Sequence, residues 1–240
     1  MRALSKSAPR EPMMSHWSGL LATLLLAGAA GAFTPTSDYE ERSLHGWTLL
    51  VNKALLAEPE LADAVLAEIG AQLYNITRKV PAEAVAKLRG VRIWVEKEAD
   101  QGAAVYHPSR EWLTEHGYNP EMAKCAQLSN ARHLLDWCRH QPWMVFHELA
   151  HAYHHQVVGY DNAEVIAAYE AAKAGGKYDS VLRYDGKQAK HYALSNVQEY
   201  WAEASEAYFG LNDFYPFVNA ELRQHDPTMH ALLTKLWGVK

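Results

Sequence analysis

Two histidines separated by three residues, with a glutamate directly after the first, form the clearest chemical pattern in the sequence: His147-Glu148-Leu149-Ala150-His151. In a helix, residues four apart lie on one face, so both imidazoles can reach the same metal ion. Such a pair suits Zn²⁺, and a catalytic zinc site keeps one coordination position open for water. Glu148, beside the first imidazole, can accept a proton from that water. The motif predicts a zinc hydrolase with His147 and His151 as ligands and Glu148 as general base.

A third ligand is needed, because the chain contains 13 histidines and a short pattern can arise by chance. A metzincin would require Gly at position 154 and His at position 157, where this chain has His154 and Val157. The best candidate is Glu199, in the first turn of another predicted helix. Glu203 lies one turn further along the same face and can hydrogen-bond a ligating histidine. The alternative is an ordinary amphipathic helix whose acidic side chains, including that of Glu206, face solvent.

The spacing of these segments resembles the catalytic domain of anthrax lethal factor and related bacterial metallopeptidases, which are zincins with a glutamate as third ligand. The resemblance rests on His147–His151, on Asn196–Glu203 and on Tyr192, seven residues before Glu199, and it covers roughly residues 90–215. It implies one catalytic Zn²⁺ bound by the two histidines and Glu199, with Tyr192 stabilising the reacting oxyanion. It also implies a zincin-like fold and hydrolysis of a peptide or protein substrate.

Two other functions stay open on the sequence alone. One is a zinc hydrolase that acts on an amide or ester outside a peptide backbone. The other is a catalytically idle, secreted domain that binds zinc for structural reasons. Glu148 argues against the second, because a structural site closes its fourth position with a protein ligand and has no use for a base.

These residues must be positioned by helices and a small sheet. Apolar residues at helical spacing predict helices within residues 44–74, with Pro59 near a helix start, and over Pro81–Leu88. Alternating β-prone residues predict a strand at Val91–Glu96, and Gly102–Tyr106 reads as a second strand. Either strand, if it lies at a sheet edge, can pair with an extended peptide.

The two segments with the chemical residues are both predicted to be helical. Residues 142–158 form one helix, and a further helix is expected over residues 164–174. Residues 178–194 predict a hairpin that turns at an Asp-Gly pair. Ser195–Gln198 resembles a capping box that opens a helix through about Phe209. This order predicts a helix-rich α+β fold with a small sheet beside the helix of the H-E-x-x-H motif.

Residues 1–32 have the composition of a secretory signal peptide, with a basic start, an apolar run from Leu20 to Ala32 and small residues at its end. The thirteen apolar residues of this run are fewer than the roughly 20 that a membrane span requires. We expect cleavage after Ala32 and export to the periplasm or the exterior. Residues 33–240 would then form a single metallopeptidase domain without a stable membrane span.

The two cysteines are interpreted in the light of this expected export. An oxidising compartment favours a disulfide between Cys125 and Cys138. The alternative is a pair of buried free thiols. Neither cysteine belongs to a C-x-x-C pair, which disfavours thiol redox chemistry and a cysteine zinc site.

Composition excludes further classes of protein. Hydrophobic residues make up 49% of the chain and charged residues 21%, values that are ordinary for a globular domain. The formal net charge of −5 argues against a nucleic-acid partner, because nucleic-acid binders normally carry a basic face. The length of 240 residues fits one large domain.

Overall fold

A five-stranded mixed sheet lies at the centre of the computed structural model, which describes residues 33–99 and 102–239. Its strands are β1 (Tyr39–Leu44), β2 (Trp47–Asn52), β3 (Ile93–Val95), β4 (Val105–His107) and β5 (Cys125–Leu128). They lie in the order β1-β2-β3-β5-β4; β2, β3 and β5 are parallel, whereas β1 and β4 run antiparallel to their neighbours. A separate hairpin pairs β6 (Val181–Leu182) with β7 (Gln188–Ala189). The predicted leader lies outside the described residues.

Ten α-helices accompany these strands in the described ranges. They are α1 (Lys53–Leu56), α2 (Pro59–Lys79), α3 (Ala82–Leu88), α4 (Arg110–Glu115), α5 (Ala131–Trp137), α6 (Met144–Tyr153), α7 (Ala163–Gly175), α8 (Val197–Phe209), α9 (Asn219–His225) and α10 (Pro227–Leu236). The predicted α+β class, rich in helix with a small sheet, is confirmed. Among the helices of the described chain, none is long and apolar enough to cross a membrane.

The two faces of the sheet are covered differently, because successive side chains of a strand point to opposite faces. On one face, Val51, Val95 and Leu128 belong to the large hydrophobic core, which also contains residues of α2, α6 and α8. We call this the main core. On the other face, Trp94 packs in a second group with Leu50, Cys125, Tyr39, Leu113 and Met122, which we call the small cluster. The sheet therefore separates a thick helical layer from a thin one.

Helices α6 and α8 pack directly against each other within the main core. The indole N–H of Trp201 on α8 donates to the carbonyl oxygen of Ala150 on α6 at 3.0 Å. Phe146 on α6 meets Phe209 on α8 edge to face. These contacts fix the two helices relative to each other and turn the face with the H-E-x-x-H motif toward the acidic face of α8.

Several predicted elements are confirmed, and two are wrong in part. The hairpin, α3, α7, β3 and α8 lie where the sequence predicts them, and β4 lies slightly later than expected. Residues 47–52, however, form a strand and not a helix. Almost every residue of Trp47–Asn52 is buried, and a continuous apolar run of this kind does not distinguish a buried strand from a buried helix.

The ends of the two site helices also differ from the prediction. The helix expected over residues 142–158 begins at Met144 and continues beyond Tyr153 as a π-helical turn over His154–Val158. The N-cap of α8 is Asn196, whose side-chain oxygen accepts from the backbone N–H of Glu199 at 2.8 Å. Ser195, the predicted cap, belongs to the preceding turn.

The predicted disulfide is not formed, and both cysteines are free and buried. Cys125 lies on β5 in the small cluster, whereas Cys138 follows α5 in the main core. The sulfur of Cys138 accepts a hydrogen bond from the side-chain amide of Gln72 at 3.1 Å, and burial raises the pKa of this thiol to about 12. The free thiols correspond to the alternative that the sequence left open.

Candidate metal centre

Three donor atoms from α6 and α8 converge at one point. His147 and His151 lie one turn apart on α6, and their Nε2 atoms are 3.0 Å from each other. Oε2 of Glu199, in the first turn of α8, lies 3.0 Å from Nε2 of His147 and 3.4 Å from Nε2 of His151. The structure thus brings the three predicted ligands together as one group of possible metal donors.

The spacing of these atoms fits a zinc ion. Bonds of about 2.0–2.1 Å in a tetrahedral arrangement place the ligand atoms about 3.3 Å apart. The observed separations of 3.0, 3.0 and 3.4 Å lie close to that value. Two imidazoles and one carboxylate are also a ligand set that catalytic zinc sites use.

The tautomer of His147 is set by a second glutamate of α8. Nδ1 of His147 donates to Oε1 of Glu206 at 2.6 Å. When the ring is neutral, a proton kept on Nδ1 leaves the lone pair on Nε2, the atom that faces His151 and Glu199. Ligating histidines commonly use a carboxylate in this way. Glu206 therefore prepares His147 as a metal ligand.

Glu206 takes the role that the sequence predicts for Glu203. Oε1 of Glu203 lies 3.6 Å from Nδ1 of His147, beyond a good hydrogen bond, and its Oε2 accepts from the side-chain amide of Asn212 at 3.0 Å. Both glutamates are buried, and burial raises their pKa values. The signal for Glu206 was present in the sequence, because it lies seven residues after Glu199 on the same helical face.

Glu199 is kept ionised by the histidines. Burial by itself would raise the pKa of its carboxyl group, but hydrogen bonds with His147 and His151 lower it strongly. Burial by itself would lower the pKa of His147, but its contacts with Glu199 and Glu206 raise it well above the usual value, so a metal ion that binds there displaces a proton from Nε2. The carboxylate of Glu199 therefore carries a negative charge at the point where a cation would bind.

Glu148 lies apart from the ligand set and beside the edge strand of the sheet. Its side chain is buried, and burial raises its pKa, while the charges of His147 and His151 lower it in part. The Tyr106 backbone on β4 supplies a hydrogen bond that favours the ionised form. A buried carboxylate with a raised pKa is suited to accept and return a proton.

Tyr192 lies in the same cleft. It begins the 3-10 turn Tyr192–Leu194, which His191 caps by accepting the backbone N–H of Ala193 at 3.1 Å on Nδ1. Its side chain is 50% exposed and lines the cleft, and partial burial raises its pKa. Its hydroxyl group is therefore protonated and available as a donor at neutral pH. Tyr160, which the sequence did not single out, lines the same cleft.

The cleft has a volume of about 670 Å³, large enough for several residues of a peptide. Its walls include six residues that the sequence selected: His147, Glu148, His151, Tyr192, Glu199 and Glu203. One wall is formed by Ala104, Val105 and Tyr106 of the β4 region. The cysteines are absent from its lining.

Comparison of the chain with models of protein families, with curated proteins and with solved structures finds no match. The chemistry of the cleft must therefore be inferred from its own atoms. Those atoms supply three converging metal donors, a carboxylate outside the donor set and a tyrosine hydroxyl group, all on the surface of one cavity.

Proposed function

We propose that this chain is a zinc-dependent metallopeptidase of the zincin type, similar to the lethal factor family. His147, His151 and Glu199 are the metal ligands, and Glu148 is the general base. The proposal rests on the convergence of three donor atoms, 3.0–3.4 Å apart, beside a second carboxylate, that of Glu148, which is not a donor to the same point. A structural zinc site would use a fourth protein ligand there.

The residues around the ligands divide the chemistry between them. A bound zinc ion would polarise a substrate carbonyl group and acidify a water molecule. Glu148 accepts the proton of the attacking water and passes it to the leaving amine, a task that its burial-raised pKa supports. Tyr192 offers its hydroxyl group as a donor to the negative charge that develops on the carbonyl oxygen.

The exposed edge of β4 supports a peptide as the substrate. The carbonyl oxygens of Ala103 and His107 accept from Ser129 and Lys124 on the β5 side. Because backbone groups of an antiparallel strand alternate between its two sides, those of Ala104 and Tyr106 face away from β5. The N–H of Tyr106 donates to Glu148, so a paired peptide would use the backbone groups of Ala104 and the carbonyl oxygen of Tyr106. β4 is the last strand of the described sheet on that side. An extended peptide that pairs there lies next to Glu148 and the donor atoms.

Zinc stoichiometry and peptide hydrolysis test this proposal together. We expect one zinc ion per wild-type chain by elemental analysis, and hydrolysis of denatured casein that a chelator abolishes. Glu199→Ala removes the carboxylate donor and should lose most of the zinc and the hydrolysis. Glu170→Ala, which changes an exposed glutamate of α7, is the matched control and should retain both.

Each contrary outcome has a distinct meaning. Full zinc occupancy in Glu199→Ala would place the third ligand elsewhere. A wild-type chain that binds no zinc would refute the proposal. Bound zinc with turnover of simple esters or amides, and none of peptides, would identify a zinc hydrolase of another class.

A further inference from the structure

A second cavity lies beside the same edge strand and has a different character. It has a volume of about 440 Å³ and is bordered by His107, Pro108, Trp112 and Tyr118. It shares Ala104, Val105, Tyr106 and Pro108 with the wall of the metal cleft. Among the described residues, its lining includes no carboxylate, in contrast to that of the metal cleft. We call this cavity the aromatic pocket.

Stacked rings form the walls of the aromatic pocket. Trp112 is 45% exposed, yet His116 covers one of its faces at a centroid distance of 4.1 Å. Tyr118 stacks with Trp112 at 5.6 Å, and His107 lies 6.5 Å from Trp112 with nearly parallel planes. These contacts hold an exposed indole in one orientation. Rings that are fixed before binding lose little conformational entropy when a ligand arrives.

Buried polar groups hold His107 in place beneath the pocket. Nε2 of His107 donates to the side-chain oxygen of Gln127 at 2.8 Å. The side-chain amide of Gln127 in turn donates to Glu96 at 3.3 Å. In the same wall, the hydroxyl group of Ser129 is buried and has no hydrogen-bond partner in the described residues. The pocket thus combines fixed aromatic rings with a buried hydroxyl group, that of Ser129, which is unpaired within the described residues.

β4 separates the two cavities. The side chain of Tyr106 belongs to the main core, and its hydroxyl group contacts Nδ1 of His155, in the π-helical turn after α6, at 2.9 Å. The side chain of the next residue, His107, points to the other face, toward Trp112 and Tyr118. A peptide that extends the sheet beside β4 directs alternate side chains to the same two faces. One set then points to the metal cleft and the other to the aromatic pocket.

We infer that the aromatic pocket is a specificity subsite that accepts one aromatic side chain of a peptide paired with β4. This inference deepens the proposed peptidase function and rests on it for the position of the peptide. An aromatic ring suits the pocket because ring stacking adds to the gain from apolar burial. A side chain of the same peptide is the expected ligand, because the aromatic pocket and the metal cleft border the same strand.

Binding measured without turnover tests the subsite separately from catalysis. The probes are a fluorescein-labelled, end-blocked hexa-alanine and its six single-phenylalanine versions, measured by anisotropy on zinc-loaded full-length Glu148→Gln protein. We expect one phenylalanine position to bind about tenfold or more tightly than hexa-alanine. Adding Trp112→Ala should reduce that preference to about twofold or less, and Trp112→Phe should retain most of it. Tyr74→Ala, a half-exposed aromatic of α2, is the matched control and should leave the preference intact.

The same peptides, given to protein with intact Glu148, separate the two proposals. If the peptides are hydrolysed with a preference for phenylalanine in kcat/KM, and Trp112→Ala reduces this preference, both proposals are supported. Hydrolysis without a phenylalanine preference, or with a preference that survives Trp112→Ala, overturns the subsite and leaves the peptidase proposal standing. A Trp112-dependent binding preference without any hydrolysis overturns the peptidase proposal and retains the pocket as a peptide-binding site. Circular dichroism of each variant confirms that the fold is intact.

Discussion

Two acidic side chains, buried Glu96 and partly buried Glu199, lie on opposite faces of the sheet, and their partners differ. On the face of the small cluster, Glu96 accepts from the hydroxyl group of Tyr39 at 2.6 Å, from Asn52 at 2.9 Å and from Gln127 at 3.3 Å. On the main-core face, Glu199 meets two imidazoles whose own Nε2 atoms also face each other. The first carboxylate is surrounded by neutral donors, and the second by other electron-pair donors.

The difference shows how a structural carboxylate can be told from a ligand. Glu96 is 3% exposed, and its three donors satisfy both oxygens, so the group needs nothing from outside the chain. His147, His151 and Glu199 can each supply an electron pair, and their donor atoms lie within 3.4 Å of one another at the wall of a cleft. A cation bound between them would satisfy all three groups. Burial of a carboxylate alone therefore does not indicate function; the chemistry of its neighbours does.

The largest expected effect is the loss of turnover on substitution of Glu148, a buried carboxylate that is neither a ligand nor satisfied by neutral donors alone. Glu148→Gln keeps the shape of the side chain and removes its ability to take a proton. We expect turnover to fall by about 10²–10⁴-fold while zinc remains stoichiometric, because the residue acts on water and not as a ligand. Hydrolysis rate and elemental analysis on the same sample give both values. Loss of zinc in parallel with activity would show that Glu148 belongs to the ligand set.

The ligand helices were predictable because their signals are local. His147 and His151 are one helical turn apart, and Glu199 lies in the first turn of a helix whose start is marked by the cap-like segment Ser195–Gln198 and whose end is marked by a glycine. Spacing along one helix fixes which side chains share a face, and this needs no knowledge of the rest of the fold. The same reasoning places Glu203 and Glu206 near the ligands. It does not tell which of them reaches Nδ1 of His147, because that depends on the crossing of α6 and α8.

Features that depend on pairing across the chain were not predictable. Residues 47–52 and Cys125–Leu128 lie in strands that are buried on both faces, where no alternation of polar and apolar residues marks them. Without the sheet, nothing in the sequence separates Cys125 from Cys138. The two thiols lie in different hydrophobic groups on the two sides of the sheet, which a separation of thirteen residues does not reveal. The aromatic pocket depends on the same placement of β4.

A smaller effect tests which glutamate supports His147. Glu206→Gln weakens the hydrogen bond to Nδ1 and should lower zinc affinity by about 10–100-fold, as expected for a carboxylate that orients a ligating imidazole. Glu203→Gln should change it less, since Glu203 lies 3.6 Å from that atom. Competition with a chromophoric chelator measures both affinities. A greater loss in Glu203→Gln would restore the assignment that the sequence favoured.

The smallest effect at the metal site is expected from Glu96, and it bears directly on the contrast between the two faces. Glu96→Gln replaces one accepting oxygen with an amide that opposes the donors around it, leaving at least one buried group unsatisfied. The free energy of unfolding should fall by about 1–2 kcal/mol, while zinc content stays at the wild-type value. Denaturant titration and elemental analysis measure the two quantities, with exposed Glu170→Gln as the control that alters neither. If Glu96→Gln lost zinc while its stability stayed unchanged, Glu96 would contribute to the metal site. Neutral hydrogen-bond donors around a carboxylate would then not identify it as structural.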